Sequence, residues 1–316
     1  MDCMPNLMVS VENLLIQYGT AEVLKGVTFQ VFRGEFFGLL GSNGAGKTTL
    51  IGALAGVIAP TAGQILIDGS SLRAHPMKMK SRIGFVPQSI ALYPSLCAQD
   101  NLAFFARIYG MKGEKCKERI ADVLKVVGLT NRAKQTVAHL SHGMQRRLNI
   151  AAGLLHEPKL LILDEPTVGL DTQSRDAILA TLEDINRSGV TLLYTTHRID
   201  EAERLCHRVG ILDGGQMIAL DTPRHLVRDF GMGIVRIEFK TVPDGFLLQR
   251  LKELGDFKAM NDQNTEFCLE TKEPVSDIRR YLDLMTKSST ALKRLDVIEP
   301  GLETVFTRLT GRSLKF

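Results

Sequence analysis

A glycine-rich segment at residues 41–48, with the sequence GSNGAGKT, constrains the fold of this chain more than any other feature. It fits the pattern GxxxxGK[ST], and it lies between an apolar run at residues 36–40 and a helical pattern that begins near Thr48. Glycines let successive backbone N–H groups turn toward one point, because no Cβ blocks the approach. The positive end of the following helix faces the same point, so the segment predicts a strand, a phosphate-binding loop and a helix in succession.

Two side chains at the end of the loop suit a nucleotide triphosphate. Lys47 is expected to place its ammonium group near the β- and γ-phosphates of ATP, and the Thr48 hydroxyl suits Mg²⁺, which prefers oxygen ligands. The residues predicted to contact the nucleotide here are Gly41, Ser42, Asn43, Gly44, Ala45, Gly46, Lys47, Thr48 and Thr49.

A second apolar run, at residues 160–163, ends in two acids, Asp164 and Glu165. Acids that follow a buried strand emerge at its carboxyl end, where ligands bind in open α/β sheets. Asp164 is expected to act on Mg²⁺, directly or through water, and Glu165 to act as the base that polarises the attacking water. Taken by themselves, the two acids could equally be solvated turn residues; the phosphate loop favours the catalytic interpretation.

The order of the patterns predicts an α/β fold of the P-loop NTPase type. Short apolar runs at residues 36–40, 160–163 and 190–196 read as buried parallel strands, each followed by a helical pattern. Residues 65–69 are expected to form a strand that enters a turn in an antiparallel β flank, and residues 98–155 to form a helical insertion.

A glycine-containing segment at residues 229–233 predicts a domain boundary, which gives an ATPase domain at 7–230 and an accessory domain at 231–316. The later part alternates apolar and polar residues in three places, with helical patterns between them. The order β-α-β-α-β suggests a small α+β domain of ferredoxin-like type.

Charge gives no sign of a nucleic-acid partner. The formal net charge is +4 for 316 residues, and the densest basic run is short, at residues 77–82. Proteins that bind nucleic acid more often gather Lys and Arg on one helix or stripe, so no nucleic acid is expected. The basic run is better explained as a solvated turn, although a weak attraction to anionic lipid also fits it.

Cysteine usage and hydropathy give expectations about the compartment. The five cysteines are not spaced as metal ligands and suggest free thiols in a reducing compartment: Cys3, Cys97, Cys116, Cys206 and Cys268. The first residues lack the pattern of a secretory signal, and no run of about 18 apolar residues is present. If the protein acts on a membrane, another chain is expected to supply the spanning part.

Besides the phosphate loop and the acid pair Asp164 and Glu165, the chain has further segments that resemble the ATP-binding cassette (ABC) family over residues 7 to about 228. Tyr18 lies where the family has the aromatic residue that stacks on adenine. Four further segments match family motifs in family order: 86–88 (VPQ, the Q-loop), 140–147 (LSHGMQRR, the LSGGQ signature), 168–171 (VGLD, the D-loop) and 195–197 (TTH, the switch histidine).

The resemblance implies roles within one copy of the chain. Gln88 would reach Mg²⁺ and the attacking water, and His197 would hold the γ-phosphate and Glu165 in register. Tyr18 would stack on the adenine ring.

The resemblance also implies a head-to-tail dimer in which each ATP lies between one phosphate loop and the signature of the partner copy. Ser141 and Gly143 would touch the γ-phosphate of the opposite site, and Asp171 would communicate across the dimer. His142 and Met144 depart from LSGGQ. A side chain at residue 142 is acceptable if φ stays negative there, and the site is expected to survive because Ser141 and Gly143 remain.

Met144 followed by Arg146 and Arg147, together with residues 166–171 and the later segment 299–311, resembles exporters of the drug-resistance and polysaccharide type. The implied function is the ATP-binding and hydrolysing subunit of an export transporter, a homodimer that acts with an integral membrane permease. The implied location is peripheral, at the cytoplasmic face of the inner membrane.

The alternative is a soluble ABC ATPase that is not coupled to transport. Such proteins usually carry a long coiled coil or two cassettes, whereas residues 48–140 show no sustained heptads and one phosphate loop is present. For the transporter hypothesis, the helical region at residues 89–115 is expected to form the groove for the permease.

Overall fold

The computed structural model describes residues 6–254, 256–261, 263–272, 274–286 and 290–311. The chain divides into two compact units, and the division falls between Thr222 and Pro223. Cys3 lies outside the described residues, and Cys97, Cys116 and Cys206 are free thiols. None of the helices in the described ranges is both long enough and apolar enough to span a membrane.

The first unit alternates strands and helices in the following chain order: β1 (Leu7–Tyr18), β2 (Ala21–Phe32), β3 (Phe36–Leu40), α1 (Lys47–Leu54), β4 (Ala62–Ile67), β5 (Ser70–Ser71), α2 (Pro76–Lys80), β6 (Ile83–Val86), α3 (Ala98–Ile108), α4 (Gly113–Val126), α5 (His142–Leu154), β7 (Leu160–Asp164), α6 (Thr172–Arg187), β8 (Thr191–Thr196), α7 (Ile199–Leu205), β9 (Arg208–Asp213) and β10 (Gln216–Asp221).

A mainly parallel sheet of order β10-β9-β3-β8-β7-β6 forms the centre of this unit. Every residue of β3, β7 and β8 is buried, including Asp164 at the end of β7 and the three threonines of β8. In the register, Leu40 lies opposite Thr196, and Asp164 lies opposite Thr195. The carboxyl ends of the three strands therefore meet at one edge of the sheet, which confirms the predicted α/β core.

A second, antiparallel sheet of order β2-β1-β4-β5 forms the predicted flank. Its apolar face shares one core with α1 and the central sheet. Phe29 of β2 stacks on Phe37 of β3 with the ring centroids 5.4 Å apart, and Leu50 of α1 is fully buried in the same cluster. Burial of large apolar side chains is the main stabilising contribution here.

The predicted helical insertion corresponds to α3, α4 and α5. Arg119 of α4 ties this group together, because its guanidinium donates to the carbonyl oxygens of Leu154 and Leu155 at 2.6 and 2.9 Å. These carbonyls lie at the carboxyl end of α5, where helix oxygens have no partner within the helix.

The second unit contains α8 (Pro223–Phe230), β11 (Gly233–Phe239), α9 (Gly245–Leu254), β12 (Asp256–Ala259), β13 (Glu266–Thr271), α10 (Pro274–Thr286), β14 (Leu292–Ile298) and α11 (Leu302–Thr310). The sheet order is β12-β13-β11-β14 with antiparallel neighbours. This is the ferredoxin-like βαββαβ arrangement.

Two details differ from the sequence interpretation. The sequence patterns gave three strands here and missed β12, which has four residues and is too short to show an alternation. The predicted boundary at residue 230 differs from the division at Thr222 and Pro223, because α8 packs with α11 in the second unit.

Asp68 joins the antiparallel flank to the starts of two central strands. It follows β4 with φ +53°, and its buried carboxylate pairs with Arg33, Arg82 and Lys159. Arg82 immediately precedes β6, and Lys159 immediately precedes β7. One carboxylate therefore pairs with three cations at this junction.

Replacement of Asp68 by Asn is expected to lower the free energy of unfolding by about 1–3 kcal/mol, because three cations lose a buried partner while remaining partly solvated. Urea denaturation of the full chain measures the change. Asp184→Asn is the matched control, since it breaks the exposed pair with Arg187 and should change stability by less than about 0.5 kcal/mol. Equal effects of the two variants would contradict a structural role for Asp68.

Candidate functional site

The loop that joins β3 to α1 has the conformation that its glycines allow. Gly46 has φ +104°, and a Cβ added there would lie 2.8 Å from Cδ2 of Leu24. The backbone N–H groups at the start of α1 have no side-chain cap, because Gly46 is the N-cap residue. These donors and the helix dipole make a site for an anion.

A cleft of about 260 Å³ opens over this loop. Its lining residues are Val23, Ser42, Asn43, Gly44, Gly46, Lys47, Thr48, Thr49, Gln88 and Glu165. The structure thus brings most of the predicted loop residues together with Gln88 and Glu165. A larger cleft of about 430 Å³ lies near the carboxyl end of α1 and contains apolar side chains such as Ile58 and Leu72, without the acids or the loop lysine.

Lys47 is buried at the base of the loop, with 6% of its surface exposed. Its ammonium group donates to the carbonyl oxygens of Gly41 and Ser42 at 2.6 and 3.3 Å, and it lies 3.5 Å from Oε1 of Glu165. Burial lowers the pKa of Lys47, and the Glu165 carboxylate acts against that shift. A buried cation with this geometry favours a negatively charged ligand.

Asp164 and Glu165 are both held by the hydroxyl of Thr195. This hydroxyl donates to Oδ1 of Asp164 at 2.8 Å and accepts the backbone N–H of Glu165 at 2.9 Å. Asp164 is buried, and burial raises the pKa of its carboxyl. Glu165 has φ +44°, a left-handed conformation that residues with a side chain rarely adopt outside functional sites.

Three polar groups converge on the Glu165 carboxylate. Gln88 donates from Nε2 to Oε2 at 3.4 Å, Nδ1 of His197 lies 3.4 Å from the same oxygen, and Lys47 approaches the other oxygen. The residues come from four separate segments of the chain. The structure therefore brings together the predicted base, the predicted switch histidine and the Q-loop glutamine.

The loop that carries Gln88 is held by α5. Arg146 donates to the carbonyl oxygen of Pro87 at 3.0 Å, and the Asn149 amide reaches the carbonyl oxygens of Pro87 and Ser89 at 3.5 Å. Asn149 also accepts the backbone N–H of Ala91 at 3.3 Å. Burial lowers the pKa of Arg146.

Sequence reasoning missed Thr195, Arg146 and Asn149 as residues that shape the site. Two polar residues three positions apart on a helix are a signal for Arg146 and Asn149, but their partners are distant in the sequence. Thr195 belongs to the segment 195–197 that resembles a family motif, but that resemblance gives a role to His197 and none to Thr195.

The signature segment begins α5. Ser141 is the N-cap residue, and its hydroxyl accepts the backbone N–H of Met144 at 3.3 Å. His142 is exposed and lies within the helix, where φ is negative, so its Cβ is accommodated as predicted. Gly143 is buried against α6, and a Cβ on it would lie 2.6 Å from Oγ of Ser174.

Among the described residues, the cleft lining does not include Tyr18, Ser141, Gly143 or Asp171. Tyr18 ends β1 with 53% of its surface exposed. Asp171 is the N-cap of α6, and its carboxylate accepts the Ser174 N–H at 2.9 Å; this backbone hydrogen bond lowers the pKa of Asp171. Gly41, Ala45, Asp164 and His197 are also absent from that lining, although His197 contacts Glu165 directly.

The sequence is similar to those of known ATP-binding proteins of transporters. The family model for ABC transporters matches residues 24–168. The linearmycin resistance ATP-binding protein LnrL of Bacillus subtilis is 40% identical over 311 residues, which cover 98% of this chain and 100% of the relative. The Nod factor export ATP-binding protein I of Ralstonia nicotianae is 36% identical, covering 98% of this chain and 95% of the relative.

Two solved structures resemble the fold. CbiO1 of Clostridium perfringens, part of the ABC transporter complex cbiONQ, has a TM-score of 0.66 and 31% identity, and covers 71% of this chain and 92% of that protein. An ATP-binding cassette solved as a dimer in a post-hydrolysis state with ADP and Pi has a TM-score of 0.62 and 29% identity. That match covers 68% of this chain and 98% of the cassette.

Replacement of Gly143 by Ala is expected to force the first turn of α5 away from α6, because the new methyl group would overlap Ser174. Overpacking of this kind destabilises by about 1–3 kcal/mol. Chemical denaturation of Gly143→Ala, Ser174→Gly and the double variant measures it. The Ser174→Gly change should be less harmful in the Gly143→Ala background; strict additivity of the two changes would refute the contact.

Proposed function

The chain belongs to the ABC transporter family, as an ATP-binding and ATP-hydrolysing subunit of exporter type, and on this premise we propose that two copies pair head to tail around ATP and drive a separate membrane permease. The observation that carries the proposal is the convergence of Lys47, Gln88 and His197 on Glu165 at the cleft above the phosphate loop. A single carboxylate that contacts all three groups is suited to sense and act on a γ-phosphate.

Within one copy, the loop amides and Lys47 bind the β- and γ-phosphates. Glu165 accepts a proton from the attacking water, and His197 holds Glu165 beside the γ-phosphate. Gln88 orients the same water. Phosphoryl transfer depends mainly on positioning and charge neutralisation, and these groups supply both.

The residues also fit Mg²⁺, because Thr48, Gln88 and Asp164 offer the oxygen ligands that this ion prefers. When bound, Mg²⁺ neutralises phosphate charge. The buried Asp164 is fixed by Thr195 before any ion binds, so its oxygen needs no reorganisation.

Ser141, Gly143 and Asp171 have their function in a dimer under this proposal. Ser141 is exposed at the amino end of α5, where backbone N–H groups can face an anion on another molecule. The related cassette solved as a dimer with ADP and Pi supports this arrangement. Tyr18 is exposed enough to stack on adenine.

Replacement of Glu165 by Gln is expected to lower steady-state ATP hydrolysis by about 100-fold or more, because the amide cannot accept the proton. Affinity for ATP should stay within about threefold of the unchanged protein, since the loop contacts remain. With ATP bound, the variant should accumulate as a dimer in size-exclusion chromatography.

Glu114→Gln is the control for this experiment, since Glu114 is an exposed acid on α4 whose side chain is 73% accessible. Its hydrolysis rate should match the unchanged protein. Undiminished hydrolysis by Glu165→Gln would exclude Glu165 as the base, and a monomeric ATP-bound variant would count against the dimer.

For the permease, we propose the surface of α3 and the segment before it as the docking groove. Tyr93, Phe104 and Ile108 expose apolar surface there, and Tyr93 packs edge-on against Phe104 with the centroids 4.8 Å apart. This region follows Gln88 in the chain, so the state of the phosphate site can act on it. Exposed clusters of aromatic and aliphatic side chains mark interaction surfaces.

The relatives named for linearmycin resistance and Nod factor export support an export direction for this chain. We accordingly propose a peripheral location at the cytoplasmic face of the inner membrane, on the permease. The transported compound would be selected by that partner.

Replacement of Ile108 by Glu, at a position with 64% of its surface exposed, is expected to reduce co-purification of the permease at least tenfold while ATP binding stays unchanged, because a carboxylate resists burial in an apolar groove. Val126→Glu on α4 is the matched control and should assemble normally. Loss of nucleotide binding, or full assembly, would refute this location of the groove. If affinity purification of the unchanged chain recovers no membrane protein, the soluble ATPase alternative is favoured.

A further inference from the structure

Glu201 lies in the first turn of α7, and its carboxylate is buried among hydroxyl groups with 1% of the residue exposed. A buried carboxylate that serves only packing would be unfavourable, since desolvation penalises the charge. Its partners come from both sides of the His197–Glu165 contact. We propose that Glu201 is a positioning residue that holds the turn of His197 and the loop after Glu165 in one arrangement, an inference that rests on the proposed function.

On the histidine side, the link runs through Thr196. Its hydroxyl donates to Oε2 of Glu201 at 2.8 Å and accepts the backbone N–H of Arg198 at 2.9 Å. Thr196 precedes His197 and Arg198 follows it, so these two contacts hold the backbone on both sides of His197. A hydroxyl has one proton to donate, so a partner that only accepts leaves its lone pairs free for the Arg198 N–H.

On the glutamate side, the link runs through Thr167, two residues after Glu165. The Thr167 hydroxyl donates to the same Oε2 of Glu201 at 3.1 Å, and the backbone N–H of Val168 donates to the Glu165 carbonyl at 3.3 Å. Thr167 itself is buried. The same oxygen of Glu201 therefore holds both this loop and the turn that carries His197.

Tyr194 completes the arrangement from β8. Its hydroxyl donates to Oε2 of Glu201 at 2.5 Å. Burial, together with the nearby Glu201 carboxylate, holds the pKa of Tyr194 above its usual range, so the phenol remains a donor. The other oxygen, Oε1, lies 3.5 Å from Nε of Arg198.

Three hydroxyl groups donate to one oxygen of Glu201, an arrangement that a carboxylate stabilises better than a neutral acceptor does. Hydrogen bonds to a carboxylate are about twice as strong as neutral ones. An amide at residue 201 would keep the shape, but it would weaken these bonds or turn N–H groups toward the hydroxyls. Nδ1 of His197 lies 3.4 Å from Oε2 of Glu165, and the segments that carry these two residues are both held by Glu201. We therefore expect this distance to change when the Glu201 carboxylate is lost.

The test is a double-mutant cycle on the full chain with Glu201→Gln and His197→Ala, measured as single-turnover and steady-state ATP hydrolysis. We expect Glu201→Gln to lower kcat about tenfold while KM for ATP stays within twofold, because the phosphate loop is untouched. In the His197→Ala background, the same change should lower kcat by less than twofold. A purely structural role would instead reduce kcat by the same factor in both backgrounds.

Glu35→Gln is the matched control. Glu35 is another buried acid of the same unit, paired with Arg208, and it precedes β3, so a five-residue strand of about 16 Å separates it from the phosphate loop. We expect Glu35→Gln to lower the melting temperature of the protein but to leave kcat unchanged, both alone and in the His197→Ala background.

A second route uses smaller changes, in case Glu201→Gln does not fold. Thr196→Val should lower kcat as Glu201→Gln does, whereas Thr196→Ser, which keeps the hydroxyl, should restore it; Thr167→Val should also lower kcat. Rates within twofold of the unchanged protein for both valine variants would overturn the proposal. So would an undiminished effect of Glu201→Gln in the His197→Ala background.

The single variant His197→Ala separates this inference from the proposed function. Unchanged hydrolysis in that variant would remove His197 from the proposed function and would refute the positioning role with it. Loss of hydrolysis in His197→Ala combined with additive effects would leave the proposed function standing and refute only the role of Glu201.

Discussion

The site depends on the register of the parallel strands. Leu40, Asp164 and Thr196 end β3, β7 and β8, and the pairing of these strands brings their ends to one edge of the sheet. A slip of one residue would turn each side chain to the opposite face. The paired strands are buried along their whole length, and the segments that follow them supply the phosphate loop, Glu165 and His197. Packing in the sheet therefore determines which polar groups meet.

Those polar groups occupy a partly dehydrated site, and their protonation is shaped by one another. Burial lowers the pKa of Lys47 and raises that of Asp164, so desolvation acts against both charges. The Gly41 carbonyl and the Glu165 carboxylate offset this for Lys47, and Thr195 offsets it for Asp164. Groups held in this way need little rearrangement when phosphate charge is placed among them, which is the basis of electrostatic preorganisation.

Local patterns predicted the parts of the structure that follow from local physics. The phosphate loop, the strands before it and before Glu165, and the start of a helix at Ser141 depend on residues next to one another, and each was found. The boundary near Pro223, strand β12 and the contacts of Arg146, Asn149 and Glu201 depend on packing between distant segments. A polar residue on a helix, such as Glu201, reads from sequence as solvated. Only the fold shows it buried among three hydroxyls.

Helix α5 connects the signature segment at its amino end to the loop that carries Gln88. Its 13 residues span about 20 Å, and a helix of that length moves largely as a unit. Ser141 caps its amino end, while Arg146 and Asn149 on the same helix bind the backbone on both sides of Gln88. A displacement of the exposed amino end must therefore move the carbonyl of Pro87 or break its hydrogen bonds. If two copies pair head to tail as proposed, the partner's nucleotide at Ser141 would act through α5 on the backbone beside Gln88 in the chain's own cleft.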